Sequence, residues 1–176
     1  MPYGNKTLSG SILFVGAIIY ILGTIAGEKV VGVFANVTLY NASVVLLGVL
    51  MLISVYFIQK AFKSIIFSAS LALAGIGTIG IGFLTYASTE YYVFAGLGYV
   101  FFALSAIMSY KYEKAPLSYL SIILGAAALV TLGLWVGDID LGSGLKVTPI
   151  IIDMILLLWL SGFGAHIIGK KELKYG

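Results

Sequence analysis

Asp153 is the residue whose type and place point most directly to chemistry. It lies about one and a half turns into the last of six long apolar segments, and it is the one acidic residue within them. If that segment spans a membrane, a carboxylate there is costly, so it should face the protein interior and be protonated or paired. Two interpretations stay open. Asp153 handles a proton, a cation or a ligand headgroup, or it makes an internal hydrogen bond to a Tyr or Ser of a neighbouring helix.

Four further carboxylates lie in the connections on the side where the segment of Asp153 begins, and three of them are candidate site residues. Glu28 follows the first apolar segment, and Asp138 and Asp140 follow the fifth. They are candidates for ligand or proton handling at the mouth of a site that contains Asp153. The stretch from Asp138 to Gly142 resembles the beginning of a calcium loop but lacks its later acidic ligands, so we predict no metal site.

The residue types that remain predict no catalytic constellation. The chain has no Cys, which excludes thiolate nucleophiles, thiolate metal sites and iron–sulfur ligation. The one His, His166, lies about 20 Å beyond Asp153 along a helix, so the two cannot form a dyad. We therefore predict no catalytic residue, no metal and no cofactor.

The composition predicts an integral membrane protein. Of 176 residues, 61% are hydrophobic and 10% are charged, whereas a soluble domain carries about 25% charged residues. Lipid must therefore be the solvent for most of this apolar surface. The formal charge of +3 is spread over connections and chain ends rather than gathered in a patch, which argues against nucleic acid as a partner.

Six apolar stretches each approach the roughly 20 residues that a bilayer core requires. Backbone groups in hydrocarbon must be satisfied internally, so each stretch is predicted to be a helix. The result is an all-α, polytopic bundle of six membrane-spanning helices, with residues 1–176 in one domain. Aromatic residues near the helix ends are predicted to form a belt at the membrane interface, namely Tyr86, Tyr91, Tyr92, Tyr110, Tyr112 and Trp135. The predicted spans are 9–27, 37–58, 64–86, 91–110, 117–136 and 148–168.

The distribution of lysine predicts the orientation of the bundle. With six crossings, eight of the ten lysines share one side. Cytoplasmic connections are enriched in positive charge, so both termini are predicted to be cytoplasmic. The larger set is Lys6, Lys60, Lys63, Lys111, Lys114, Lys170, Lys171 and Lys174, and the smaller set is Lys29 and Lys146.

Small residues at helical spacing predict close contacts between helices. Such residues four apart form one stripe, along which two transmembrane helices can approach closely. The run of glycines at 75–82 also matches a dinucleotide-binding pattern, but the strand-to-helix context that gives that pattern meaning is missing. The predicted packing residues are Ser70, Ala74, Thr78 and Gly82 in the third segment and Gly23 and Gly27 in the first.

Four stretches together carry a family resemblance. They are LYNASVVLLG at 39–48, the glycine-rich run at 75–82, PLSY followed by ILG within 116–125, and LWL followed by GFG within 158–164. In order and spacing they resemble the prokaryotic membrane family called domain of unknown function 998, most of all its archaeal members, from about residue 10 to residue 169.

The resemblance implies a helical membrane fold and no particular activity. Many members of that family carry an Asp after the first helix, Pro-Glu after the third and a His that opens the fourth. This sequence has GVF at 32–34, TYA at 85–87 and Tyr91-Tyr92 at those places. Chemistry that relatives would perform with those polar groups is therefore not expected in this chain.

The function predicted from these observations is that of a non-catalytic accessory subunit or lipid-contacting component of a membrane complex in the cell membrane. Its partners would be membrane lipids and other membrane-protein subunits or a second copy of itself. One alternative is a transporter of a small molecule or ion that uses Asp153. A transporter usually shows interrupted helices or inverted repeats, and neither is evident here. Another alternative is a membrane-embedded lipid-modifying enzyme that uses the carboxylates of the connections.

Overall fold

The computed structural model describes residues 2–29, 33–34, 37–84, 88–137 and 148–169. Six helices dominate it, each long and apolar enough to cross a membrane, so the chain is a multi-pass membrane protein and the all-α prediction is confirmed. A short antiparallel pair of strands joins the first two helices, with Glu28 opposite Phe34. The elements are α1 (Pro2–Gly27), β1 (Glu28–Lys29), β2 (Val33–Phe34), α2 (Val37–Phe62), α3 (Ile65–Phe83), α4 (Thr89–Ser109), α5 (Leu117–Val136) and α6 (Thr148–Gly169).

The helices extend beyond several of the predicted spans. Helix α1 begins at Pro2, although the first span is predicted from residue 9, and α2 continues to Phe62 instead of ending at residue 58. Hydropathy marks the part of a helix that lies in hydrocarbon, and backbone hydrogen bonding continues into the polar interface. The third span differs in the other direction, because α3 ends at Phe83, short of residue 86.

Local hydrogen bonds explain where the central helices begin. The Ser64 hydroxyl accepts a hydrogen bond from the backbone N–H of Phe67, and the Ser88 hydroxyl accepts one from that of Tyr91. Each thereby satisfies one of the backbone donors left unpaired at a helix N-terminus. Between α2 and α3, Lys63 has a φ of 53° and its N–H donates to the Gln59 carbonyl, which ends α2 in the left-handed conformation usual after a helix.

The six helices form a closed ring in chain order. Each helix packs against the next one along the chain, α1 packs against α6, and α4 also reaches α6 across the ring. Helices α1, α3 and α5 finish at the end of the bundle where α2, α4 and α6 begin, and we call it the Asp153 end. The opposite end, called the lysine end, carries Lys6, Lys60 and Lys63.

Close approach of α3 and α4 depends on a pair of glycines. A Cβ atom on Gly77 would overlap the backbone of Gly98 in α4. The two backbones therefore meet directly, as small residues allow in membranes, where no hydrophobic force draws helices together.

The predicted packing stripe of α3 contacts two different helices, α4 and α2. The Ser70 hydroxyl donates to the Phe101 carbonyl of α4, at 3.0 Å, whereas Gly82 lies against Asn41 and Val45 of α2. Steps of four residues advance a helix face by about 40° each, so one stripe turns from α4 towards α2. Between them, Ala74 is fully buried and Thr78 is buried.

Of the predicted pair in α1, Gly23 lies against the Ser43 side chain of α2. Gly27 is the last residue of α1, and its surroundings lie outside the part of the chain described at side-chain level.

Replacing Gly77 by Ala should weaken the contact between α3 and α4, because the new methyl group has to displace the backbone of Gly98. We expect destabilisation of about 1–3 kcal/mol, as in other overpacked cores, seen as a lower melting temperature in detergent. Gly96→Ala is the matched control on α4, since a Cβ there meets nothing within 4 Å. Equal melting temperatures for the two variants would contradict the direct backbone contact.

Candidate functional site

The Asp153 carboxyl lies inside the helix ring, where it contacts the first helix. Asp153 is the sixth residue of α6, about 7.5 Å along the axis from Thr148. The Tyr20 hydroxyl of α1 donates a hydrogen bond to its Oδ2 atom, at 2.7 Å. The partner is thus a Tyr of a neighbouring helix, one of the two residue types expected from the sequence.

Two more tyrosines complete the group around the carboxyl. The Tyr40 hydroxyl of α2 lies 3.4 Å from the Tyr20 hydroxyl, and the two rings meet edge to face with centroids 6.0 Å apart. From α4, the Tyr99 side chain also interacts with Asp153. Asp153, Tyr20, Tyr40 and Tyr99 are called the Asp153 cluster below.

The helices hold these side chains at graded depths from the Asp153 end. Tyr40 is about 4.5 Å from the start of α2, Tyr20 about 10 Å from the end of α1, and Tyr99 about 15 Å from the start of α4. Tyr40, the nearest to the end, is half-buried, while Tyr20 and Tyr99 are buried, at 5% and 6% exposure. The cluster therefore leads from the Asp153 end towards the middle of the bundle.

A small cavity lies among these polar groups. Its volume is about 30 Å³, and the Asp153 cluster lines it together with Thr78 and Gly98. The Thr78 hydroxyl donates to the Ala74 carbonyl, at 2.8 Å, so its oxygen lone pairs remain able to accept. One water molecule needs about 10–15 Å³ on this measure, so the cavity has room for about two.

Apolar side chains close the cavity towards the lysine end. Phe102, Leu156 and Leu157 line its inner wall. Behind them, Phe102 meets Trp159 edge to face at 5.4 Å, and Trp159 stacks on Phe163 at 5.5 Å. We therefore expect water or a small ion to reach the cluster from the Asp153 end, because aromatic rings separate the cluster from the lysine end.

The structure brings together only part of the predicted site. Thr78, predicted to pack, lines the cavity beside Asp153. Glu28 begins β1, but its side chain is not among those described, and Asp138 and Asp140 lie outside the described residues. Their predicted place at the mouth of the site stays a prediction. Within the described ranges, no group of three His, Asp or Glu residues could hold a metal ion.

Sequence reasoning missed the three tyrosines that line the cavity together with Asp153. One signal was present, because Tyr20 and Tyr99 lie well inside their apolar segments and not at an end. The assignment of Tyr91 to an interfacial belt is corrected. Tyr91 is 8% exposed, whereas its neighbour Tyr92 is 42% exposed. Adjacent helical residues are 100° apart, so one ring turns inward and the other outward.

No family model, curated protein or solved structure matches this chain. The chemistry of the site therefore follows from its geometry. A carboxyl group that accepts hydrogen bonds from phenols, beside a cavity of water-molecule size, can take up or release a proton, or bind a small cation.

Replacing Tyr20 by Phe removes the hydroxyl that donates to Asp153 and leaves a carboxyl oxygen without that partner. We expect the free energy of unfolding to fall by about 1–3 kcal/mol, measured by thermal or denaturant unfolding in detergent. Tyr119→Phe is the control, since Tyr119 of α5 is 66% exposed and should tolerate the change. Unchanged stability in both variants would mean that the Tyr20–Asp153 hydrogen bond contributes nothing to the fold.

Proposed function

We propose that the protein is a non-catalytic accessory subunit or lipid-contacting component of a membrane assembly. The observation that carries the proposal is the size of the cavity at Asp153, about 30 Å³. Pockets for organic substrates measure about 300–1,000 Å³, so no substrate of that kind fits beside the carboxyl. The hydrogen bond from Tyr20 supports a structural role for Asp153.

The outer surface of the ring supports the lipid-contacting part of this proposal. Each helix turns large apolar side chains outward, as in Ile65 at 75%, Phe83 at 75% and Val136 at 77% exposure. In a bilayer such side chains meet acyl chains or apolar faces of other subunits. Membrane lipids, other membrane-protein subunits and a second copy of this chain are therefore the partners we propose.

A second candidate function is transport of a proton or small ion through Asp153. The observation in its favour is the cavity beside the carboxyl, which Tyr20 and Tyr40 line on the side of the Asp153 end. Transport would require the wall formed by Phe102 and Leu156 to move, because it separates the cavity from the lysine end. A lipid-modifying enzyme stays a third candidate, which depends on Asp138, Asp140 and Glu28.

We also propose the cell membrane as the location, with both termini in the cytoplasm. The asymmetry of the lysines supports this orientation. The resemblance to domain of unknown function 998 supports a prokaryotic, archaeal-type origin for the architecture.

Asp153→Asn separates the candidate functions, because it keeps the shape of the side chain and replaces the ionisable carboxyl group by an amide. The full chain is extracted gently from native membranes, and the proteins that co-purify are identified by mass spectrometry. We expect stoichiometric subunits with both the native chain and Asp153→Asn. Proton and sodium fluxes into proteoliposomes should be equally low for both.

The control variant for these experiments is Glu90→Gln, an exposed acidic residue in the first turn of α4. A chain that purifies alone and shows flux lost only in Asp153→Asn would overturn the accessory role in favour of transport. Lipid turnover that is lost in Asp138→Asn or Asp140→Asn and retained in Asp153→Asn would favour the enzyme.

The proposed orientation can be tested cleanly because the native chain has no Cys. A single Cys is introduced at exposed Lys63, at the lysine end, or at exposed Glu90, at the Asp153 end. With a membrane-impermeant thiol reagent, we expect Glu90→Cys to react in intact cells and Lys63→Cys to react only after permeabilisation. The reverse pattern would invert the proposed topology.

A further inference from the structure

We propose that the Asp153 cluster binds one small monovalent cation of the size of sodium, taken up from the Asp153 end. The proposal does not depend on the accessory role. It gives the cavity a ligand, and it names the ion that the second candidate function would use.

The donor set is the first argument. The residues that line the cavity carry a carboxyl group at Asp153, phenol hydroxyls at Tyr20, Tyr40 and Tyr99, and an aliphatic hydroxyl at Thr78. These are hard oxygen ligands, the kind that alkali and alkaline-earth cations prefer over nitrogen or sulfur. Tyr20 uses its proton towards Asp153, and Thr78 uses its own towards Ala74, so both oxygens keep lone pairs for a cation.

The formal charge of the lining selects the valence of the ion. Asp153 is the one acidic residue among the described side chains that line the cavity. One carboxylate neutralises one monovalent cation, whereas a divalent ion would leave a net positive charge in a medium of low dielectric constant. Calcium sites generally supply several carboxylates and six to eight oxygen ligands.

The volume of the cavity selects the size of the ion. About 30 Å³ holds a bare ion with one water molecule, on the scale of about 10–15 Å³ for each water-sized occupant. An organic ammonium ion needs several times that volume. Phe102, Leu156 and Leu157 form an apolar inner wall. The cation is therefore expected to enter and leave at the Asp153 end, where Tyr40 is half-buried.

Two tryptophans are placed to report on occupancy without any change of sequence. Trp135 of α5 meets the Tyr99 ring edge to face, with centroids 6.0 Å apart. Trp159 of α6 meets Phe102 at 5.4 Å. Since Tyr99 and Phe102 both line the cavity, an ion that reorients either ring should alter tryptophan fluorescence.

The test is binding of radioactive sodium to the purified full chain in detergent at mildly alkaline pH, followed in parallel by tryptophan fluorescence. We expect saturable binding of about one ion per chain, displaced by unlabelled sodium and not by choline. Asp153→Asn should abolish binding, and Tyr99→Phe should weaken it about tenfold, as loss of a supporting ligand does at other metal sites. Glu90→Gln should bind like the native chain.

Several results would overturn the cation site. They are the absence of saturable binding by folded native protein, equal binding by Asp153→Asn, or displacement by calcium at lower concentration than by sodium. If Asp153→Asn fails to fold, a comparison of Tyr99→Phe with Glu90→Gln tests the cation site. Only Tyr99→Phe should lose affinity for sodium. Co-purifying subunits are measured separately, so failure here leaves the accessory role untouched.

Discussion

The hydrogen bond between Tyr20 and Asp153 constrains the whole bundle, because it joins the first helix to the last. A carboxyl group in a membrane-spanning helix has to face the protein interior, and a rotation of α6 by one residue would turn it about 100° towards lipid. The bond of 2.7 Å therefore fixes the rotation of α6 against α1 at the Asp153 end. At the lysine end the same two helices meet through Gly10 and Gly164, where a Cβ on either would collide with the other backbone.

These contacts between α1 and α6 close the ring of helices. Consecutive helices joined by short connections pack against each other with little choice, but the contact between α1 and α6 links residues more than a hundred positions apart. No hydrophobic force brings helices together in lipid, so this contact depends on close backbone approach and on polar side chains. With the ring closed, side chains from α1, α2, α3, α4 and α6 converge on one small space.

The number, type and approximate extent of the helices could be predicted because a bilayer imposes them on each segment separately. The Asp153 cluster could not be predicted, because its members lie on four helices. The spacing of Tyr20, Tyr40 and Tyr99 along the chain does not indicate that they meet. Tyrosine is ambiguous in a membrane chain, because the same residue type serves interfaces and polar interiors. The pair Tyr91 and Tyr92 shows this ambiguity, with one ring inside and the other outside. The position of Asp153 was not ambiguous in this way, because only the protein interior tolerates a carboxyl group at that depth.

The polar and aromatic groups of the bundle are distributed unequally between its two ends, and this limits what the protein can do. Phenol and carboxyl oxygens surround the cavity near the Asp153 end, whereas Phe102, Trp159 and Phe163 fill the core behind it. Deeper still, the Trp159 indole N–H donates to the Ser109 hydroxyl at 2.9 Å, which anchors the aromatic stack to α4. Apolar side chains on one side of the cavity and polar side chains on the other favour entry of water or of an ion from the Asp153 end. Passage through the bundle would require Phe102, Trp159 and Phe163 to move.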